Sequence, residues 1–167
     1  AQQESKCYGC GGNRLEHLHT FPDLASCGTF LEDGRAAPRS SIQMTFCQDC
    51  TLTQASHDLK LSDLYSESYG YRSSLNPAMV LHLQQKAKRL IHDHKINSIV
   101  DIGSNDGTFL NCFSAENRIG VDPSISCNEH DPGALHIGDF FPCEKTNRIE
   151  SGSIDLVTAI SMFYDLP

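Results

Sequence analysis

The stretch 98-SIVDIGSNDGTFLNCF-113 decides how this chain is read. Ile99, Val100 and Ile102 make an apolar run that drives into Gly103-Ser104-Asn105-Asp106-Gly107, and Thr108-Phe109-Leu110 then opens a segment of helical character. A strand that meets a glycine turn and then a helix offers backbone N–H groups at one point, which is how α/β proteins receive nucleotide-like ligands. The spacing is not GxGxxG. Gly103 and Gly107 flank three residues with Asn105 at the centre, and Asn enters the left-handed backbone region more readily than other residues with a side chain.

Downstream, the pattern predicts short buried strands at Ile99–Ile102, Arg118–Val121, Leu135–Ile137 and Ile154–Ile160, with a helix over Thr108–Ser114. Strands alternating with helices imply βαβ units and a parallel sheet. Asp122, followed by Pro123, closes the second strand twenty-one positions after Asp101, and a carboxylate there is placed to accept ribose hydroxyls. Asp139-Phe140-Phe141 follows the third strand, where a carboxylate can bond an adenine amino group and a ring can cover the base. Asp101, Gly103, Ser104, Asn105, Asp122, Pro123, Asp139 and Phe140 are therefore the candidate cofactor residues. A pyrophosphate would disfavour carboxylates near the turn, which weighs against a dinucleotide-dependent oxidoreductase. Asp101 and Asp106 suit a ligand carrying a sulfonium and an ammonium, and S-adenosylmethionine has both.

Upstream, Asn76-Pro77 is a helix start, a cap residue followed by proline at the first helical position. Met79, Val80, Leu83, Ala87, Leu90 and Ile91 recur at helical spacing, predicting an amphipathic helix of roughly five turns. It lies within a linker at 67–97, before the cofactor region at 98–167. Tyr65, Tyr69 and Tyr71 cluster just ahead of it, with Arg72 beside them.

The N-terminal region, 1–66, reads differently. From Cys7 to Cys50, Gly11-Gly12, Phe21-Pro22-Asp23, Asp33-Gly34 and Ala37-Pro38 interrupt each apolar run, so the segment cannot repay its ordering entropy unaided. Cys7-Tyr8-Gly9-Cys10 and Cys47-Gln48-Asp49-Cys50 supply the staple. Two residues between paired cysteines let both sulfurs face one point, and zinc takes four such ligands tetrahedrally. With all four positions closed the metal is structural. A redox CxxC is the competing reading, and Cys27, His17, His19 or His57 are alternatives for a single ligand.

The chain has 167 residues and a net charge of −8, which argues against nucleic acid and anionic membrane surfaces as partners and for a small-molecule substrate. No apolar run approaches the ~20 residues of a membrane span, no signal-peptide pattern opens the chain, and paired cysteines in a reduced setting point to metal. The expectation is a soluble cytoplasmic protein. A first residue other than Met and an end directly after an apolar strand suggest a piece of a longer chain.

Taken in order, CxxC…CxxC, Tyr69-Gly70-Tyr71-Arg72-Ser73-Ser74-Leu75-Asn76, Met79-Val80, His82-Leu83, Asp101-Ile102-Gly103-Ser104-Asn105-Asp106-Gly107-Thr108, Gly120-Val121-Asp122-Pro123, Asp139-Phe140-Phe141 and Ser161-Met162-Phe163-Tyr164-Asp165-Leu166 resemble the zinc-containing C-methyltransferases of deoxysugar biosynthesis. The resemblance implies an α/β chain: a small four-cysteine zinc-binding module, then the first half of a Rossmann-like class I S-adenosylmethionine-dependent methyltransferase sheet. It implies a nucleotide-linked 4-keto sugar as substrate, methylated at carbon 3, with the principal base beyond Pro167 in the remainder of the parent chain. In such chemistry the ketone acidifies the neighbouring carbon, a base removes the proton, and the enolate carbon attacks the methyl group. Tyr71 and Tyr164 are the catalytic candidates within this stretch. An O- or N-methyltransferase and a non-catalytic zinc-ribbon interaction module are the rival functions.

Overall fold

The computed structural model describes residues 6–26, 28, 36–57, 60–65, 69–114, 116–124, 131 and 133–163. The chain divides into two compact units, residues 1–64 and 65–167.

The first unit is a three-stranded antiparallel sheet in the order β1-β2-β3, formed by β1 (Leu15–Ala25), β2 (Arg39–Cys47) and β3 (Thr53–His57). Its last element is one helical turn, α1 (Leu61–Leu64). The stretch between the cysteine pairs is thus a hairpin. β1 runs through Pro22, and this works because β1 is an edge strand and its register slips between Phe21 and Leu24. Proline cannot donate to a ladder and is tolerated at edges and bulges. Asp23 takes the bulge with φ 49°.

In the second unit the helix begins where the sequence places it. Asn76 caps α2 (Pro77–Asp93), accepting from the N–H groups of Ala78 and Met79. Leu83 and Ala87 are buried against the sheet, with Met79 and Leu90 beside them, whereas Ile91 stays exposed. The sheet comprises β4 (Ser98–Ile102), β5 (Asn117–Val121), β6 (Leu135–Ile137) and β7 (Leu156–Ala159), all parallel, in the order β6-β5-β4-β7. Successive side chains of β4 face opposite sides. Ile99 therefore joins Phe109, Leu110, Phe113 and α2, while Val100 joins Val121 and Ile137.

The expected helix at Thr108–Ser114 is instead a single 3-10 turn, Leu110–Cys112. One α-type bond, Asn111 N–H to the Gly107 carbonyl, gives way to tighter bonds from Cys112 to Phe109 and from Phe113 to Leu110. Seven residues are too few to repay helix nucleation, and short connections tighten in this way. Phe109, Leu110 and Phe113 still reach the core. Among the described residues no helix is long and apolar enough to cross a membrane.

Candidate functional site

The chain steps from β4 outward to β5 and β6, then returns to place β7 on the other side of β4. Crossovers on either side of β4 make its carboxyl end the point where the strand order reverses, and open parallel sheets take ligands at such points. The glycine turn sits there. Gly103, Asn105 and Gly107 have φ of 74°, 50° and 80°. The N–H groups of Gly103 and Ser104 donate to the Val121 carbonyl, and that of Asn105 donates to Asp122 Oδ2 at 2.9 Å, so the turn is moored to the end of β5. A side chain on Gly103 would also lie 2.8 Å from Met162 Cγ, and one on Gly120 2.6 Å from Ser104 Oγ. Gly103 is needed for space as well as for backbone freedom, Gly120 for space.

Three carboxylates surround the turn, each with its own set of partners. Asp101 is 3 % exposed; burial pushes its carboxyl up to about 7, the Thr158 hydroxyl bonded at 2.7 Å pulls it down, and the charge of Asp122 pushes it further up. Asp122 is buried and accepts from three donors, the Asn105 N–H on one oxygen and the N–H and hydroxyl of Ser124 on the other. Asp106 is completely buried. Burial would raise its pKa, but the hydroxyl and N–H of Thr108 and the Ser74 N–H hold it below the usual carboxylate range.

The structure places the remaining candidates as follows. Pro123 is half-buried beside Asp122. Asp139 is exposed and accepts the Phe140 N–H at 2.8 Å, and Phe140 is half-buried. The Tyr71 side chain is exposed, its ring 6.5 Å from that of Tyr69, which lies 5.1 Å from Tyr65. Tyr164 lies outside the described residues. A cavity of about 510 Å³ is found elsewhere in this unit, between α2 and the segment after the turn, lined by Ser74, Gln84, Lys88, Thr108, Asn111 and Cys112. None of the three carboxylates lines it.

Sequence reasoning passes over one connection. The side-chain oxygen of Asn105 accepts the N–H of Ser73 at 2.9 Å and its hydroxyl at 3.4 Å, and its amide donates to the Tyr71 carbonyl at 2.9 Å. Asp106 accepts the Ser74 N–H at 2.9 Å. No local pattern announces such bonds, because their partners lie more than thirty residues away.

The four cysteines of the first unit converge as expected. Cys7, Cys10, Cys47 and Cys50 bring their sulfurs within 4.8 Å of one another, with Cys7 to Cys50 at 3.4 Å and Cys10 to Cys47 at 3.7 Å. Four thiolates at metal–sulfur bonds of roughly 2.3 Å span tetrahedron edges of roughly 3.8 Å, so the set fits one tetrahedral metal ion. Each pair rides on the same turn. Cys7 N–H bonds the Gly12 carbonyl and Gly11 N–H bonds the Cys7 carbonyl, and the Cys47–Leu52 segment repeats both bonds. Gln54, one of the few buried residues among those described in this unit, accepts the Tyr8 N–H and donates to the Lys6 carbonyl, docking the first turn on β3. The N–H of Cys10 helps lower the Cys7 thiol to about 7. The Leu52 N–H acts the same way on Cys50, yet hydrogen bonding with Cys7, burial and the other two cysteines together push that thiol up to about 12. Four thiols this close cannot all ionise without a cation among them. His17 is engaged with Thr20 on β1, outside the cluster; Cys27 lies outside the described residues.

Compared with models of known protein families and with curated proteins, the chain matches none.

Proposed function

We propose that this chain is the zinc-binding and cofactor-binding part of a cytoplasmic S-adenosylmethionine-dependent C-methyltransferase that acts on a nucleotide-linked 4-keto deoxysugar. The observation that carries the reading is the carboxyl edge of β4 and β5: a glycine turn with three left-handed residues, moored through Asn105 N–H to an acidic strand end at Asp122. The strand order β6-β5-β4-β7 supports a Rossmann-like sheet, since it is the order of the first half of a doubly wound nucleotide-binding fold. The family resemblance supplies the sugar and the carbon acceptor.

In this reading the cofactor contributes an electrophilic methyl group, and the protein contributes place and charge. Gly103 and Ser104 bring backbone close to the ligand. Asp101 faces a cation from a buried position, where the attraction is little screened. Asp122 accepts ribose hydroxyls, which requires the Ser124 hydroxyl to yield its place, because a carboxylate offers roughly four acceptor sites and three are engaged. Asp139 and Phe140 meet the adenine. Tyr71 and Tyr164 are the candidates for proton handling, with the main base in the remainder of the parent chain. Zinc on Cys7, Cys10, Cys47 and Cys50 holds the first unit together, and a reducing cytoplasm keeps those thiols available.

Calorimetry with S-adenosylmethionine on the full-length protein tests the reading. Saturable binding is expected, weakened about 5- to 150-fold in Asp122→Ala, the range for a lost charged acceptor. A flat titration for the wild-type protein would end the proposal. Exchange of the substrate's carbon-3 proton with deuterated solvent in the presence of S-adenosylhomocysteine would distinguish carbon methylation from transfer to oxygen or nitrogen.

A further inference from the structure

Asn105 occupies a backbone conformation that glycine adopts freely and other residues adopt at a cost. Its φ of 50° therefore asks what the side chain returns. Within the turn it returns nothing, since the turn is closed by backbone bonds from Gly103, Ser104 and Gly107. Its bonds all go to Tyr71 and Ser73, and the next residue, Asp106, takes Ser74. The Tyr71 carbonyl and the N–H groups of Ser73 and Ser74 thus meet side chains of a single turn. The same Asn105 holds the Asp122 carboxylate through its own N–H. One residue joins a chain segment, the turn and the acidic strand end.

We propose that Asn105 and Asp106 are positioning residues that fasten the Tyr71–Ser74 segment across the glycine turn. A ligand at the turn and the side chains of Tyr71 and Arg72 then belong to one site, and ligand occupancy and order of the segment rise together. The identity of the ligand rests on the reading above; the fastening does not. A ligand that touches the turn only in its fastened form must tighten the segment, since it shifts the equilibrium by its difference in affinity for the two forms. The reverse holds as well, so loosening the segment weakens the ligand by the same factor.

Asn105→Gly separates the two roles of this residue. It preserves the left-handed turn and removes all three side-chain bonds. Amide hydrogen exchange at Ser73 and Ser74 and tryptic cleavage of the Arg72–Ser73 bond report on the segment, and exchange at Val100, inside β4, controls for general loosening. In Asn105→Gly, exchange at Ser73 and cleavage after Arg72 should accelerate about tenfold or more, the effect of losing more than one hydrogen bond, with Val100 unchanged. In the wild-type protein S-adenosylmethionine should slow both, and its affinity should fall in Asn105→Gly. Wild-type rates at Ser73 in the variant would overturn the fastening, whatever the ligand does. Equal affinity for the two proteins, with the exchange difference intact, would overturn the coupling alone. No binding to either would overturn the cofactor reading and the coupling with it, while exchange still decides the fastening.

Discussion

Among the described residues of the first unit, the buried apolar side chains are those of Cys7 and Cys47, and Leu18, Phe21 and Leu24 of β1 are exposed. In the second unit Leu83, Ala87, Ile99, Val100, Phe109, Leu110, Phe113, Val121 and Ile137 are buried on the two faces of one sheet. Hydrophobic burial accounts for the second unit in the ordinary way. It cannot account for the first, where four converging sulfurs could hold a metal ion and so supply the missing support. The difference teaches that one chain can change its means of support within a few residues, and that composition alone marks where: paired cysteines and interrupting turns on one side, periodic apolar residues on the other.

The largest way to break the comparison is to remove the metal. Stripping it with a chelator, or replacing Cys47 by Ser, should unfold the strands of the first unit and leave the melting of the second unaltered. Structural zinc contributes apparent binding energies of about 10–16 kcal/mol in small modules, far more than this unit's burial can replace. Strand signals and proteolysis of residues 15–57, followed with and without added zinc, check it. A first unit that keeps its strands without metal would mean that its sheet is self-supporting.

A smaller effect lies inside the second unit, where charge opposes burial. Asp101 holds its proton up to about pH 7 in the folded protein, against an ordinary value of 3.8. Between those values the folded state binds more protons than the unfolded one, so the stability of this unit falls as pH rises from about 4 to about 7 and levels above it. Asp101→Asn, which keeps an acceptor for the Thr158 hydroxyl, should remove that dependence and stabilise the unit at pH 8 by on the order of 3 kcal/mol, with no gain at pH 3. Urea unfolding at the two pH values measures both. The same variant should weaken a cationic ligand, which would show function and stability opposed at one carboxylate.

The smallest effect compares the two cysteine turns with each other. Gly11 and Thr51 hold equivalent places, with φ of 72° and 65°, but Thr51 carries a β-branched side chain into a region such residues avoid. Its hydroxyl bonds the Cys50 carbonyl in partial return. Thr51→Gly should slow metal loss to a competing chelator modestly, reflecting a gain within about 1 kcal/mol. Faster loss would show that the hydroxyl bond outweighs the strain.

How legible each feature is follows from the distance over which it is determined. The CxxC pairs and the Asn76-Pro77 start are local, and both stand where the sequence puts them. β1 is hidden because Pro22 and Asp23 read as a turn, whereas the structure absorbs them in a bulge on an edge. The 3-10 turn at Leu110–Cys112 shares its apolar spacing with a helix, and only the length of the connection separates the two. At the candidate site the left-handed turn is visible in Gly103, Asn105 and Gly107. The Ser124 bonds to Asp122 also have a local signal, since Asp readily accepts from the residue two places on. The bonds from Asn105 and Asp106 to residues 71–74 have none.

The repeated bonding of Cys7–Gly12 and Cys47–Leu52 also bears on the order in which the first unit assembles. Each six-residue turn closes on itself and can form early, but the two meet through partners distant in sequence, the pairing of β1 with β2 and the docking of the first turn on Gln54 of β3. An arriving ion would therefore meet half a site, two thiolates on one finished turn, until the hairpin delivers the other half. Closing that long loop is an entropic search, and a half-held ion rewards its end point rather than its beginning. With a metal ion on the four cysteines, capture and strand pairing would be one step, and its rate would be set by how fast the hairpin closes.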